Sequence, residues 1–220
     1  MATKFSEITA AEMRSAMIDS QLRTNDVIDP AVIGAMAAAP REAHVPAALA
    51  GVAYMDRAIA LGHGRALNAP LVTGRMLVAA AIRPGQRVLL VGSATGYTAG
   101  LLARLGAEVH AVEEQGELMA VAEGAVAKDN IRWIAGPLAA GAPAAAPFDR
   151  IIIEGAIETL PEALVAQLAD GGRLIAARRE GAVTRLVEGV KAGGAVALRS
   201  FADMDVAPLP GFAAPAGFQF

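Results

Sequence analysis

Residues 88–100 read VLLVGSATGYTAG. Four branched apolar residues run up to Gly92, a short loop follows, and a helical pattern begins at Tyr97. A continuous apolar run ending at glycine predicts a strand buried on both faces, as in parallel sheets. Gly92 and Gly96 free the backbone to turn tightly and to approach a ligand with no Cβ in the way. Ser93 and Ala94 stand between them. A loop at the carboxyl end of the first strand is where open α/β sheets bind ligands. Twenty-one residues beyond Gly92, the run EVHAVEE (108–114) predicts the next strand and closes on Glu113 and Glu114. A carboxylate there accepts hydrogen bonds from ribose hydroxyls. A dinucleotide fits poorly, because two glycines of its fingerprint would fall at Ala94 and Tyr97, and no Gly-Lys-Ser/Thr loop occurs. The spacing favours a nucleoside ligand without a phosphate chain.

Outward from this unit the alternation continues. Strands are predicted over 131–135, 148–155 and 171–177, and helices over 71–82, 97–105, 118–127 and 161–168. Strand–helix alternation of this kind builds a doubly wound, mostly parallel sheet. TRLVEGV (184–190) and AVALRSFA (195–202) have no clear helix between them and predict two antiparallel strands that complete seven. The closing PLPGFAAPAGFQF is expected to drape over the surface. Residues 1–69 read as an N-terminal helical subdomain with a substrate-side loop, and 70–220 as the sheet domain. Thr9 with Glu12 forms a capping box, and Asp29-Pro30 starts a second helix. GHGRALNAP (62–70) reads as a loop by its glycines.

With 220 residues and 55% hydrophobic content, the chain can build one sizeable core plus a small appended unit. A net charge of −3 gives no general attraction to nucleic acid or anionic membrane, so neither is expected as a partner. Zero cysteines exclude disulfides and thiolate metal sites. His44, His63 and His110 have no ligand spacing, so no metal is expected. The acid-containing N-terminus does not read as a signal peptide, and a soluble, cytoplasmic, bacterial protein is the expectation.

The segments SQLRTNDVIDPAVIGAM (20–36), PREAHVP (40–46), AYMDRAIALGHGRALNAP (53–70), VLLVGSATGY (88–97), AVEE (111–114), PFDRIII (147–153) and LPEALVAQLADGGRLI (160–175) together resemble the protein-L-isoaspartate O-methyltransferase family. The resemblance implies a Rossmann-like methyltransferase fold, S-adenosylmethionine as cofactor, and a protein or peptide carboxylate as methyl acceptor. It gives cofactor roles to Gly92, Ser93, Ala94, Gly96, Glu113 and Glu114, and places Pro137 and Leu138 beside the adenine.

The departures from that pattern fall on functional positions. Leu90 stands where the family has an acid, Ala94 where it has a glycine, and Gly136-Pro137-Leu138 where it has Gly-Asp-Gly. Ala94 is accommodated if its φ is negative. The family's Thr-Ile-Ser-Gln-Pro loop is here Ala66-Leu67-Asn68-Ala69-Pro70, so Asn68 takes the place of the serine that serves the acceptor carboxylate. Glu154, at the carboxyl end of the fourth strand, is a second catalytic candidate; its alternative is an ion pair with Arg178 or Arg179. His63 and Arg65 are substrate-side candidates, with an ordinary surface histidine and loop-stabilising hydrogen bonds as the alternatives. Tyr54 and Asp56 are expected to brace the subdomain, and Trp133 to lie in the core. These readings predict a methyltransferase with altered or reduced repair activity. The alternatives are an inactive methyltransferase-fold binding protein and a small-molecule methyltransferase.

Overall fold

A computed structural model describes residues 9–126 and 130–214. The chain enters through α1 (Ala10–Met17), where the Thr9 side chain accepts from the Glu12 amide and Glu12 reaches back to the Thr9 amide. This helix widens into a π turn (Ile18–Leu22), tightens to a 3-10 turn (Arg23–Asn25), and stops at Asp26, whose φ is 64°. α2 (Pro30–Ala37) begins on Asp29, whose carboxylate accepts from the Ala31 and Val32 amides. Next come β1 (Ile59–Gly62) and β2 (Arg65–Leu67), an antiparallel hairpin where the glycines suggested only a loop. Gly62, His63 and Gly64 all have positive φ and make its tip.

The remaining elements are α3 (Pro70–Ala80), β3 (Arg87–Val91), α4 (Tyr97–Arg104), β4 (Glu108–Glu113), α5 (Gly116–Ala125), β5 (Ile131–Ala135), β6 (Phe148–Ile157), α6 (Glu162–Gln167), β7 (Leu168–Glu180), β8 (Val183–Ala192), β9 (Ala195–Val196) and β10 (Arg199–Asp203). The main sheet runs β10-β8-β7-β6-β3-β4-β5. Pairs from β7 through β5 are parallel, and β8 and β10 close the sheet antiparallel. The mostly parallel seven-stranded sheet therefore forms as expected. The final antiparallel run is broken in two, and its first piece, β9, pairs with β8 off the main path. The expected end of the helix at Ala127, and residues 215–220 of the closing segment, lie outside the described residues.

Side chains alternate across the pleat and so feed two cores. Val88, Leu90, Ile152 and Ile175 join the N-terminal residues Met17, Leu22, Met36 and Tyr54 in one cluster. Leu89, Val91, Ile151, Ile153 and Leu174 join α6 residue Leu164 in the other. Leu209 and Phe212 also belong to that second cluster. Their segment is thus not draped over the surface: the Leu209 amide donates to the Ala156 carbonyl at 2.8 Å, and the Phe212 carbonyl accepts from the Glu158 amide. The strap carries Leu209 to the carboxyl end of β3. That end is also the switch point of the sheet, since the chain leaves β3 toward β4 on one side and returns to it as β6 on the other. Among the described residues, no helix is long and apolar enough to cross a membrane. No group of three metal-ligating side chains occurs among them either.

Candidate active site

The loop after β3 is anchored on the neighbouring strand, with the Gly92 and Ser93 amides both donating to the Val112 carbonyl. Gly92 and Gly96 adopt φ of 81° and 83°. A Cβ on Gly92 would lie 2.8 Å from Arg65 Nη2 and 3.1 Å from Leu209 Cδ1. A Cβ on Gly96 would instead meet Ala122 Cβ at 2.8 Å and the half-buried Trp133 ring at 2.9 Å. Gly92 is therefore the position of close approach in the loop, and Gly96 lets α4 pack against α5 and β5. Ala94 has φ of +47°, not the negative value that would accommodate its methyl group. It is held there by its amide, which donates to Glu113 Oε2 at 2.7 Å.

Glu113 stands beside this loop and is almost fully buried, with 1% of its surface exposed. Its Oε1 accepts from the Glu114 and Gln115 amides, and its Oε2 from the Ala94 amide. Both oxygens also accept from Arg65 Nη1, each at 2.7 Å. Arg65 Nη2 donates to the Gly92 carbonyl at 2.8 Å. The two side chains form a buried ion pair. Arg65, expected on the substrate side, thus sits on the acid expected to hold ribose.

On the β6 side, Asn68 Nδ2 donates to Glu154 Oε1 at 3.0 Å, and both residues are buried. Burial pushes the Glu154 carboxyl above its ordinary range, with the Asn68 hydrogen bond and the Arg41 charge opposing. The alternative pairing of Glu154 with Arg178 does not form, since Arg178 pairs with Glu180. Arg41 lies wholly within the protein, donating to the Ala53 and Asn68 carbonyls, with its guanidinium 5.0 Å from the centre of the Tyr97 ring. His44 clasps the loop: its Nδ1 donates to the Thr95 carbonyl and its own carbonyl accepts from the Thr95 hydroxyl. Burial lowers its pKa, which favours the neutral ring.

The structure thus brings Gly92, Ser93, Ala94, Glu113, Arg65, Asn68 and Glu154 to one edge of the sheet. Five other candidates lie apart from it, Gly96 among them because it faces Ala122 and Trp133. His63 is at the exposed hairpin tip, 3.1 Å from Glu117 of α5. Glu114 points to solvent and gives the site only its amide. Pro137 is exposed, and Leu138 is packed in the second core. Tyr54 braces Arg14, Arg41 and Glu42, and the Asp56 carboxylate accepts from the Leu71 amide. Arg41 and His44 carry no role in the sequence pattern, although a charged residue directly after Pro40 is a signal worth weighing.

The site can be tested against a nucleoside cofactor. The space over Gly92 is taken by the Arg65 guanidinium and Leu209, one carboxylate faces the loop, and Ser93 Oγ is buried without a protein partner. These features fit a ribose and its substituents once the Arg65 guanidinium is elsewhere. A mostly parallel seven-stranded sheet with this loop and this acid defines a Rossmann-like methyltransferase. Its 12–209 segment matches the model of the family described as protein-L-isoaspartate(D-aspartate) O-methyltransferase (PCMT), and the chain belongs to that family. It is 44% identical to a protein-L-isoaspartate O-methyltransferase of Methylorubrum extorquens over 167 residues, covering 75% of this chain and 73% of that one. A Gloeobacter violaceus protein of the same name is 41% identical over 162 residues, covering 72% and 79%. Among solved structures, a protein-L-isoaspartate O-methyltransferase superposes with a TM-score of 0.77 at 19% identity, covering 92% of this chain and 66% of that one. A Plasmodium falciparum counterpart in complex with S-adenosyl-L-homocysteine also gives 0.77, at 22% identity, covering 90% and 97%. At those identities the two structures speak for the fold.

Proposed function

We infer that the protein is an S-adenosylmethionine-dependent O-methyltransferase acting on isoaspartyl carboxylates of proteins or peptides. The observation that carries this reading is Glu113, aimed at the Gly92 loop and braced by three backbone amides in a chain of this family. Membership at 44% identity favours the enzyme over the inactive binding protein.

S-adenosylmethionine, when bound, supplies an electrophilic methyl group on a sulfonium sulfur. The residues that would hold it are Glu113 at the ribose diol, with the backbone of Gly92 and Ser93 alongside. An acceptor carboxylate carries no proton to remove, so no general base is required. The protein's part is to align acceptor oxygen and methyl carbon, and placement of this kind supplies much of the rate of such reactions. Asn68 is the residue positioned for that task, and Glu154 fixes its amide. Because one of its two N–H groups is held by Glu154 and its planar amide stands where the family pattern has a hydroxyl, turnover of an isoaspartyl peptide is expected to be low.

The test is calorimetry with S-adenosylhomocysteine together with methyl transfer from radiolabelled S-adenosylmethionine to an isoaspartyl peptide, with the normal aspartyl peptide as control. Binding and label on the isoaspartyl peptide alone support the reading. No binding at millimolar concentration and no label would overturn it.

A further inference from the structure

Glu113 is saturated. Two carboxylate oxygens offer about four acceptor positions, and here they already receive five contacts, one from each of three backbone amides and one on each oxygen from Arg65 Nη1. That nitrogen takes one position on each oxygen, the same demand a ribose diol would make with its two hydroxyls. The remainder of the guanidinium occupies the space that Gly92 leaves by lacking a side chain. Arg65 and a ribose therefore cannot be on Glu113 together.

A displaced Arg65 stays charged, since arginine does not deprotonate in proteins. Leaving that charge buried without a partner is strongly unfavourable, so a second anion within its reach would hold it. The acceptor substrate brings one. We propose that Arg65 is a two-position residue: stored on Glu113 in the resting protein, and transferred to the carboxylate of the methyl acceptor when ribose hydroxyls take Glu113. This proposal rests on the function inferred above. Arg65 begins β2 and Asn68 follows that strand directly, so one short segment carries both groups. The hairpin is lightly held at its tip by the exposed His63–Glu117 pair, since exposed pairs of this kind contribute little. Cofactor and acceptor should then bind cooperatively, each raising the affinity for the other.

The experiment compares wild type, Arg65→Gln and Arg65→Lys by calorimetry with S-adenosylhomocysteine. The ligand is added alone, with an isoaspartyl peptide, and with the same peptide carrying a carboxamide in place of the reacting carboxylate. Losing a charge-assisted competitor should tighten S-adenosylhomocysteine binding to Arg65→Gln by about tenfold or more. Arg65→Lys, which keeps the charge but lacks the planar fork, should fall between, and it carries the test if the glutamine variant does not fold. In wild type the isoaspartyl peptide should tighten S-adenosylhomocysteine binding and the carboxamide should not; Arg65→Gln should abolish the difference. Equal or weaker binding in both variants, with wild type still binding, overturns the proposal and leaves the inferred function standing. Tighter binding with no carboxylate dependence also overturns it, because the released guanidinium would then not be on the acceptor. No binding by any of the three proteins overturns the inferred function itself.

Discussion

Ala94 and Glu154 show how much of the site depends on single positions. Ala94 is held in the left-handed region by one hydrogen bond to Glu113. A non-glycine residue there costs roughly 1–2 kcal/mol. Ala94→Gly should therefore stabilise the protein by about 1 kcal/mol, less the added unfolded-state entropy of glycine. In a chain of this size the net gain raises the melting temperature by up to about 2–4 °C, which thermal denaturation will show. Unchanged or lower melting would mean that the loop bears no strain. Glu154 tests the pH dependence. Burial raises its folded-state pKa above the ordinary 4.5. The folded protein then holds this proton more tightly than the unfolded chain, so the contribution to stability is present at low pH and lost as pH rises through the raised value. Glu154→Gln keeps an acceptor for Asn68 and removes the titration. Its melting temperature should gain on wild type as pH rises from about 5 to 8; parallel curves would exclude the effect.

Individual elements were legible in proportion to how strongly their own sequence marks them. β3 announces itself by a continuous apolar run ending at glycine, β4 by its branched residues closing on acids, and IRWIA matched β5 residue for residue. The β1–β2 hairpin did not, because strands of four and three residues around Gly62-His63-Gly64 carry too little alternation to outweigh their glycines. The strap from Val206 to Phe212 was hidden for a similar reason. Its proline and glycine content reads as surface, yet Leu209 and Phe212 fill the second core and the backbone bonds to Ala156 and Glu158. Phe212 is only 1% exposed, so Phe212→Ala should cost about 3–5 kcal/mol. Urea unfolding will measure it. A loss below about 1 kcal/mol, the range of a surface substitution, would show the strap to be dispensable.

Across the whole molecule, the features that the sequence concealed are mostly pairings at long separation. The strands, the glycine loop and Glu113 could be placed from local pattern. That Arg65 reaches an acid 48 positions away could not, because nothing near either residue requires it. The same holds for the clasp between His44 and Thr95, 51 positions apart. That clasp, the Arg41 bond to Asn68, and a core shared by Met17, Met36, Leu90 and Ile152 tie the N-terminal helices to the sheet. We propose that residues 1–69 are a subdomain by sequence but not a separately melting unit. Scanning calorimetry should give a single transition with equal calorimetric and van't Hoff enthalpies. An earlier, smaller transition would mark the helices as independent.

The π turn at Ile18–Leu22 has a consequence for insertions and deletions. A π turn fits one extra residue into a helix while keeping the downstream residues on their original face. Met17, Ile18 and Leu22 are all buried here, whereas Asp19 and Ser20 between them are exposed. Removing Ser20 would let the turn relax to ordinary α-helix with Leu22 still facing the core, so the shortened chain should fold with little loss. Adding a residue at the same point has no such outlet and would swing Leu22 and Val27 toward water. The first helix is thus tolerant to change of length in one direction only.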